Sequence, residues 1–376
     1  MEVVAHVAAV AAGLALIVVT LLSAVKTVVL PRAVPSVLGR VVFLGVRRVF
    51  DVVAPASMPF VRRERVLAYY APVSLLLLPG VWAFLLIVAF TLVYWGTYEE
   101  SWWAAFEESG SSLLTLGFVR PDAPGHTVLV FAQATLGLGI VALLISYLPS
   151  IYAAFGRREQ LVGMLEVRAG IPPSAAELLV RTTLIGSLDD LHRDLFSPWE
   201  AWFMDVEESH TSLPSLVFFR SPQPERSWIT AAGCVLDTAA LLDSAVDVPR
   251  RGESAIVLRT GFFALRRIAD FFGIPFDPDP NPDDPISVSR REFDLLLVEL
   301  QAAGVPLRAD RDQAWRDFAG WRVNYDAVLV ALCALVVAPP GRWSSDRDAP
   351  RPRPPLRPRA RRFSAPPPRS PRPWRR

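Results

Sequence analysis

Ser101-Trp102-Trp103-Ala104-Ala105-Phe106-Glu107-Glu108-Ser109-Gly110-Ser111-Ser112-Leu113-Leu114-Thr115-Leu116-Gly117-Phe118 joins two long apolar stretches of the chain, and its reading decides the fold. A loop that merely connects two helices needs only a few polar residues. This one is amphipathic, opens on two tryptophans of the kind found at membrane interfaces, and closes on Thr115-Leu116-Gly117-Phe118. It has the make-up of a segment that enters a bilayer and turns back. Non-helical backbone at membrane depth survives only where protein or a water-filled cavity surrounds it, because each unpaired carbonyl in lipid costs several kcal/mol. A pore supplies such a cavity, with ions as partners for the carbonyls.

Working outward, the chain is 52% hydrophobic and only 20% charged, beyond what a soluble globular protein usually carries. The excess sits in three blocks, residues 3–30, 66–94 and 126–155, each long enough to cross a hydrocarbon core, which takes about 20 helical residues. The first block follows Met1 and Glu2 rather than a basic stretch and is too long for a signal peptide, so residues 1–30 read as a retained anchor. Arginines cluster between blocks one and two (Arg32, Arg40, Arg47, Arg48, Arg62, Arg63, Arg65) and after block three (Arg157, Arg158, Arg168). The connector between blocks two and three instead holds Glu99, Glu100, Glu107, Glu108 and Asp122 against Arg120. Positive loops stay on the cytoplasmic side, so the pattern predicts an outside N-terminus, three spans in an inner (plasma) membrane, and everything after residue 155 in the cytoplasm.

Within the basic loop 31–65, Arg40, Arg47, Arg48 and Asp51 form one stripe on a mostly apolar helix. That predicts a helix along the membrane surface with arginines toward headgroups; the alternative is a buried helix with an ordinary solvated face. Residues 156–338 read as a helical cytosolic domain, opening with Ser174 and Glu177 at capping-box spacing. Amphipathic stretches follow at 177–196, 228–246, 255–272, 289–303 and 310–337. The run 327–338 is too short for a span and reads as a core helix. Cys234 and Cys333 are far apart in sequence and predict no disulfide. Residues 339–376 are rich in Pro and Arg, and the last 35 residues hold twelve Arg against Asp346 and Asp348, so the segment reads as a disordered tail. Its charge suits anionic lipid headgroups, or leaves it simply solvated.

The segment with its flanking helices resembles the pore module of the potassium channel superfamily, over residues 66–155. Ser112-Leu113-Leu114-Thr115-Leu116-Gly117-Phe118 is similar to that family's Thr-x-x-Thr-Val-Gly-Tyr, with Ser112 for the first Thr, Leu116 for Val and Phe118 for Tyr. The resemblance implies an outer helix at 66–95, a pore helix at 101–114, a selectivity filter at Thr115, Leu116, Gly117 and Phe118, and an inner helix at 126–155. It also implies a homotetramer, since one module lines a quarter of a pore, and a monovalent cation, potassium by resemblance, as the permeant ion. Two residues depart from the pattern: Val119 and Arg120 stand where the family has Gly and Asp. A β-branched residue takes up a glycine's conformation at a cost of about 1–3 kcal/mol, and four copies of Arg120 would oppose cation entry unless paired with Asp122, Glu107 or Glu108.

Glu107 and Glu108 fall midway along the expected pore helix, where they add negative potential behind the filter, or else pair with Arg120 or face an outer vestibule. Gly137 and Gly139 in the inner helix mark a hinge or a close helix contact, and Pro149 lies near its cytoplasmic end. Gly137-Leu138-Gly139 has no strand before it, so a nucleotide fingerprint fails on context. Asp189, Asp190, His192, Glu207, Glu208 and His210 match no metal or nucleophile motif and read as charges on solvated faces, while Trp199, Trp202, Phe203, Phe218 and Phe219 read as core or a subunit interface. The pattern therefore predicts an all-α membrane protein, not an enzyme, without cofactor or nucleic-acid partner. It is either a passive cation channel subunit or a non-conducting scaffold or sensor with the same module.

Overall fold

The computed structural model describes residues 2–30, 36–98, 101–121, 123–249 and 251–352. Arg32, Glu99, Glu100, Asp122 and the tail from 353 to 376, on all of which the sequence raised expectations, lie outside the described residues. The described residues are all-helical, with 74% of them in helix and none in a strand. Among the described residues, three helices are long and apolar enough to cross a membrane: 2–28, 60–98 and 124–169. Contacts divide the chain into two units, Met1–Met58 with Val66–Ala153, and Pro59–Arg65 with Ala154–Arg376.

The first unit is built on α1 (Glu2–Ala24) and α4 (Tyr70–Tyr98), which pack along their length. Glycine makes that approach possible: a Cβ on Gly13 would lie 2.6 Å from the Ala89 carbonyl, and one on Gly96 would lie 2.6 Å from that of His6. At one end of the pair, the indole of Trp82 donates to Ser23 Oγ at 3.1 Å, and Ser23 Oγ lies 2.7 Å from Ser36 Oγ. Ser36 is also the N-cap of α2 (Val37–Val53), accepting from the Gly39 amide.

On helix α2, Arg48 and Asp51 of the charged stripe are exposed, and Arg40 and Arg47 are half-buried. Gly39, Val42 and Val46 are buried, whereas Val37, Val41, Val49 and Val52 are exposed. Arg47 turns to Asp51 at 3.2 Å, with its guanidinium 5.0 Å from the Tyr70 ring. Opposite charge within the helix and an aromatic face beside it hold Arg47 against α4.

Helix α5 (Trp102–Leu113) and the start of α6 (Pro124–Ala169) complete the first unit. At 46 residues α6 is about 69 Å long, more than twice a hydrocarbon core, and it contributes to both units.

The second unit begins with α3 (Phe60–Leu67) and continues from the end of α6 through α7 (Ala175–Ile185), α8 (Ser197–Ser212), α9 (Trp228–Ser244), α10 (Gly252–Phe271), α11 (Arg290–Ala302), α12 (Arg311–Arg322) and α13 (Asp326–Val336). Helix α9 lies at its centre, buried at almost every position. The spacing at Ser174 and Glu177 does not close into a capping box; Glu177 reaches forward to Arg181 instead. Ser289 and Glu292 do form one at the start of α11. In the run 327–338, α13 has eleven residues and buries Val328, Leu329, Leu332 and Val336, and α12 with α13, bent by 54° at the break between them, passes the length and apolarity test for a span as a pair.

Residues 339–352, expected in a disordered tail, are described, and Trp343 is buried there, 5.6 Å from Phe318 between ring centroids. One aromatic side chain inside a Pro/Arg-rich stretch suffices to anchor it, because a buried tryptophan removes a large apolar area from water. Both cysteines are free and buried.

Candidate functional site

Ser101 starts α5 by accepting a hydrogen bond from the Ala104 amide at 3.1 Å, and Trp102 sits 6.1 Å from Trp95 near the end of α4. From there the helix runs down between α4 and α6. Ser109 Oγ donates to the Ile87 carbonyl at 2.8 Å, and Ile87 lies eleven residues, about 16 Å, inside the Tyr98 end of α4. At the last turn, a Cβ on Gly137 would overlap the Leu113 carbonyl, thirteen residues or about 20 Å along α6 from Pro124. Helix α5 thus penetrates its own unit to roughly half the length of a span before the chain turns back.

The turn is residues 114–121. Ser111 organises it: its carbonyl accepts from the Leu116 amide at 2.8 Å, and its hydroxyl accepts from the amides of Phe118 and Val119 at 3.1 and 3.3 Å. The Thr115 amide donates to the Ser112 carbonyl at 3.2 Å. Thr115 and Gly117 both take left-handed backbone, with φ of 56° and 71°. For threonine that conformation costs about 1–2 kcal/mol. Among the described residues no donor reaches the carbonyls of residues 115–118, and Leu116 and Phe118 are 61% and 65% exposed. The amides are tied inward and the carbonyls are left to whatever covers this face. Val119 is half-buried and Arg120 exposed.

Behind the turn lies a network of fully buried polar side chains that sequence reasoning missed. Gln133 of α6 donates from Nε2 to both the carbonyl and the hydroxyl of Ser109, at 2.9 and 2.7 Å, and accepts from the Tyr94 hydroxyl at 2.8 Å. Three helices are thereby tied at one level. The available signal was a lone glutamine inside an otherwise apolar span, which lipid penalises unless it is bonded.

Glu108 is neither exposed nor placed by Arg120. It is buried, with Oε2 2.7 Å from Nε2 of His126, itself 4% exposed at the start of α6. The His126 ring stacks on Tyr98 at 3.9 Å and 10°. Glu107, one position on, faces out. Packing of the first turn of α6 against α5 brings His126, not Arg120, to Glu108.

Gly137 acts as a contact rather than a bend: α6 runs unbroken through it, and its missing Cβ is what admits Leu113. A Cβ on Gly139 meets nothing within 4 Å. Ser112 is buried at the end of α5.

In the second unit, Asp189 and Asp190 are not in the core, but His192 and His210, expected on solvated faces, are 3% and 0% exposed. His210 lies 3.3 Å from Arg158, which donates to the carbonyls of Leu216 and Phe219 and to Glu159. Burial, and then the charge of Arg158, hold the His210 imidazole well below its ordinary pKa. It is a neutral structural group. Trp199, Trp202 and Phe203 belong to the core. Among the described residues there is no cluster of His, Cys, Asp and Glu able to hold a metal ion.

No protein-family model matches the chain, and no curated protein or solved structure is significantly similar to it.

Proposed function

We propose that this chain is one subunit of a potassium-channel-like, tetrameric ion channel, carrying cations passively through a filter at Thr115, Leu116, Gly117 and Phe118. One observation carries the reading: a short helix reaches about half a span's depth and ends in a turn whose amides bond back to Ser111 while its carbonyls meet no donor among the described residues. In lipid that turn would be untenable. Around an axis shared by four copies the carbonyls acquire partners, because cations shed water in exchange for them. The left-handed φ at Thr115 and Gly117 supports the same reading, since strained backbone persists where function requires a particular presentation of the chain. The charge pattern of the loops puts the turn on the outer side of a plasma membrane and the second unit in the cytoplasm, where it would act as the regulatory domain.

The second reading is a non-conducting scaffold or sensor that keeps the module's architecture. Val119 and the exposed Arg120 favour it, since they occupy the positions next to the turn where a cation would enter.

Potassium and sodium flux into liposomes carrying the purified tetramer separates the two. Conduction should be abolished by Gly117→Ala: a Cβ there has open space around it but must be held at φ +71°, so the substitution acts on the turn alone. Verified tetramers without flux, together with a current created by Val119→Gly and Arg120→Asp, would establish the scaffold reading instead.

A further inference from the structure

Helix α9 begins inside the second unit with an uncapped first turn. Trp228, Ile229 and Thr230 are each no more than 2% exposed, yet Ser227 at the N-cap position makes no side-chain bond to their amides. Among the described residues no carbonyl accepts from those three amides either. A helix start in the interior ordinarily finds partners, because each buried donor left without one costs free energy comparable to a lost hydrogen bond.

The same end of α9 closes a cleft. Residues 217–221 and 226–228 line it together with Val336, and it encloses about 250 Å³, its open mouth included. Two side chains of that lining add unmet donors: the hydroxyl of Ser221, a residue only 9% exposed, and Nε of Arg226 are both buried without a hydrogen-bond partner among the described residues. The other nitrogens of Arg226 are engaged, Nη1 by the Gln223 side chain at 2.8 Å and Nη2 by Glu166. Arg220 lines the cleft as well, held by Glu64 at 2.9 Å and by the Val337 carbonyl. Neither glutamate belongs to the lining.

The unmet groups of this cleft are thus amides, a guanidinium N–H and hydroxyls that can donate. An oxyanion answers all of them at once, because its several lone pairs accept from helix-start amides, whose dipoles favour negative charge, and form charge-assisted bonds with arginine. A cation or an apolar ligand would leave the same donors unpaired. The cleft is smaller than the roughly 300–1,000 Å³ of pockets that enclose drug-sized ligands, so a single phosphate group suits it better than a nucleotide.

We propose that the second unit binds a phosphate-type oxyanion at the start of α9, with the amides of residues 228–230, the hydroxyls of Ser221 and Ser227, and Arg226 Nε as its donors. The site draws on residues of the second unit alone and does not depend on the pore reading.

Titration of the full-length protein with inorganic phosphate, in a phosphate-free maltoside detergent, tests this by calorimetry and by the thermal midpoint of the near-ultraviolet dichroism. The expected result is saturable binding of one phosphate per chain, with a midpoint that rises with phosphate and not with chloride at equal ionic strength. Ser221→Ala should weaken binding about tenfold or more, as the loss of a hydrogen bond to a charged group. Arg226→Lys, which keeps a positive charge beside Glu166 but lacks Nε, should weaken it likewise. Ser215→Ala, whose unmet hydroxyl lies outside the lining, should not. The same scans report the fold of each variant. A parallel titration with short-chain phosphatidic acid identifies the source: tighter Ser221-dependent binding of the lipid assigns the oxyanion to a headgroup, and tighter binding of dissolved phosphate assigns it to solution, either result supporting the site. The absence of saturable binding of both in the unaltered protein overturns the proposal, and so does binding that Ser221→Ala and Arg226→Lys leave intact. No ion flux enters these readouts, so a failure of conduction and a failure of this site are told apart.

Discussion

Gln133 in the first unit and Arg322 in the second are both fully buried, and each gathers its surroundings with a different kind of bond. Gln133 is neutral and bonds to Ser109 and Tyr94, groups that are neutral too. Arg322 is a charge held by charges: Nε donates to Asp326 at 2.8 Å, the other guanidinium nitrogens reach Asp237 and the Trp343 carbonyl, and Tyr325 donates to Asp237 at 2.8 Å. Burial pushes the Asp237 carboxyl upward and Arg322 opposes it; for the guanidinium, burial favours losing the proton, but the two aspartates outweigh it and raise its pKa. We take the cluster as ionised, because a pair at this distance with every donor engaged offsets its desolvation.

The contrast follows from what surrounds each unit. Helices that cross a membrane gain nothing from hiding apolar surface from lipid, so they associate through close backbone approach and neutral hydrogen bonds. Gly13, Gly96 and Gly137 and the Gln133 network are those two devices. The second unit has a contiguous core of Leu, Phe and Trp side chains, which supplies the driving force and leaves the ion cluster to decide how α9, α12 and α13 meet.

The largest effect that would test this contrast is in the second unit. Arg322→Met should strand Asp237 and Asp326 without countercharge and lower stability by about 3–5 kcal/mol, read as the urea midpoint of the near-ultraviolet dichroism of the full chain. A shift below about 0.5 kcal/mol would mean that the cluster is not ionised and that the contrast is false. Next comes the glycine contact. Gly137→Ala puts a methyl group against the Leu113 carbonyl and should cost about 1–3 kcal/mol in the thermal unfolding of solubilised protein. Gly139→Ala, with open space around it, should stay within about 0.5 kcal/mol. Equal effects at the two glycines would remove close packing from the account. Of the three contacts, the neutral network is expected to give the smallest shift. Gln133→Leu should cost about 1–2 kcal/mol in the same assay, since hydrogen bonds between membrane helices each contribute less than about 2 kcal/mol. A loss as large as that of Arg322→Met would erase the distinction between the two units.

Much of this was present in the linear order of residues. Length and apolar content alone marked the three long helices, because a helix that crosses lipid must satisfy its backbone internally and cover itself with apolar side chains over a known distance. The short helix α5 and the turn that follows it were legible for a similar reason: they depend on neighbours within a few positions. The left-handed backbone at Gly117 suits its residue type; that at Thr115 does not, and only the closing of the turn onto Ser111 imposed it.

What the order of residues left open was decided between helices. Glu108 had Arg120 and an outer vestibule as candidates until α6 brought His126 to it. Gln133 drew no expectation from the sequence, and its partner Tyr94 is 39 positions away. Gly137 could bend or admit, and the passage of Leu113 settled that it admits. Trp343 lay in a stretch whose composition argued for disorder, yet Phe318 and Arg322 had a place for it. Composition and periodicity report what each segment needs, a buried face or a bonded polar group. Which partner meets that need depends on the relative placement of helices far apart in the chain, and only packing determines it.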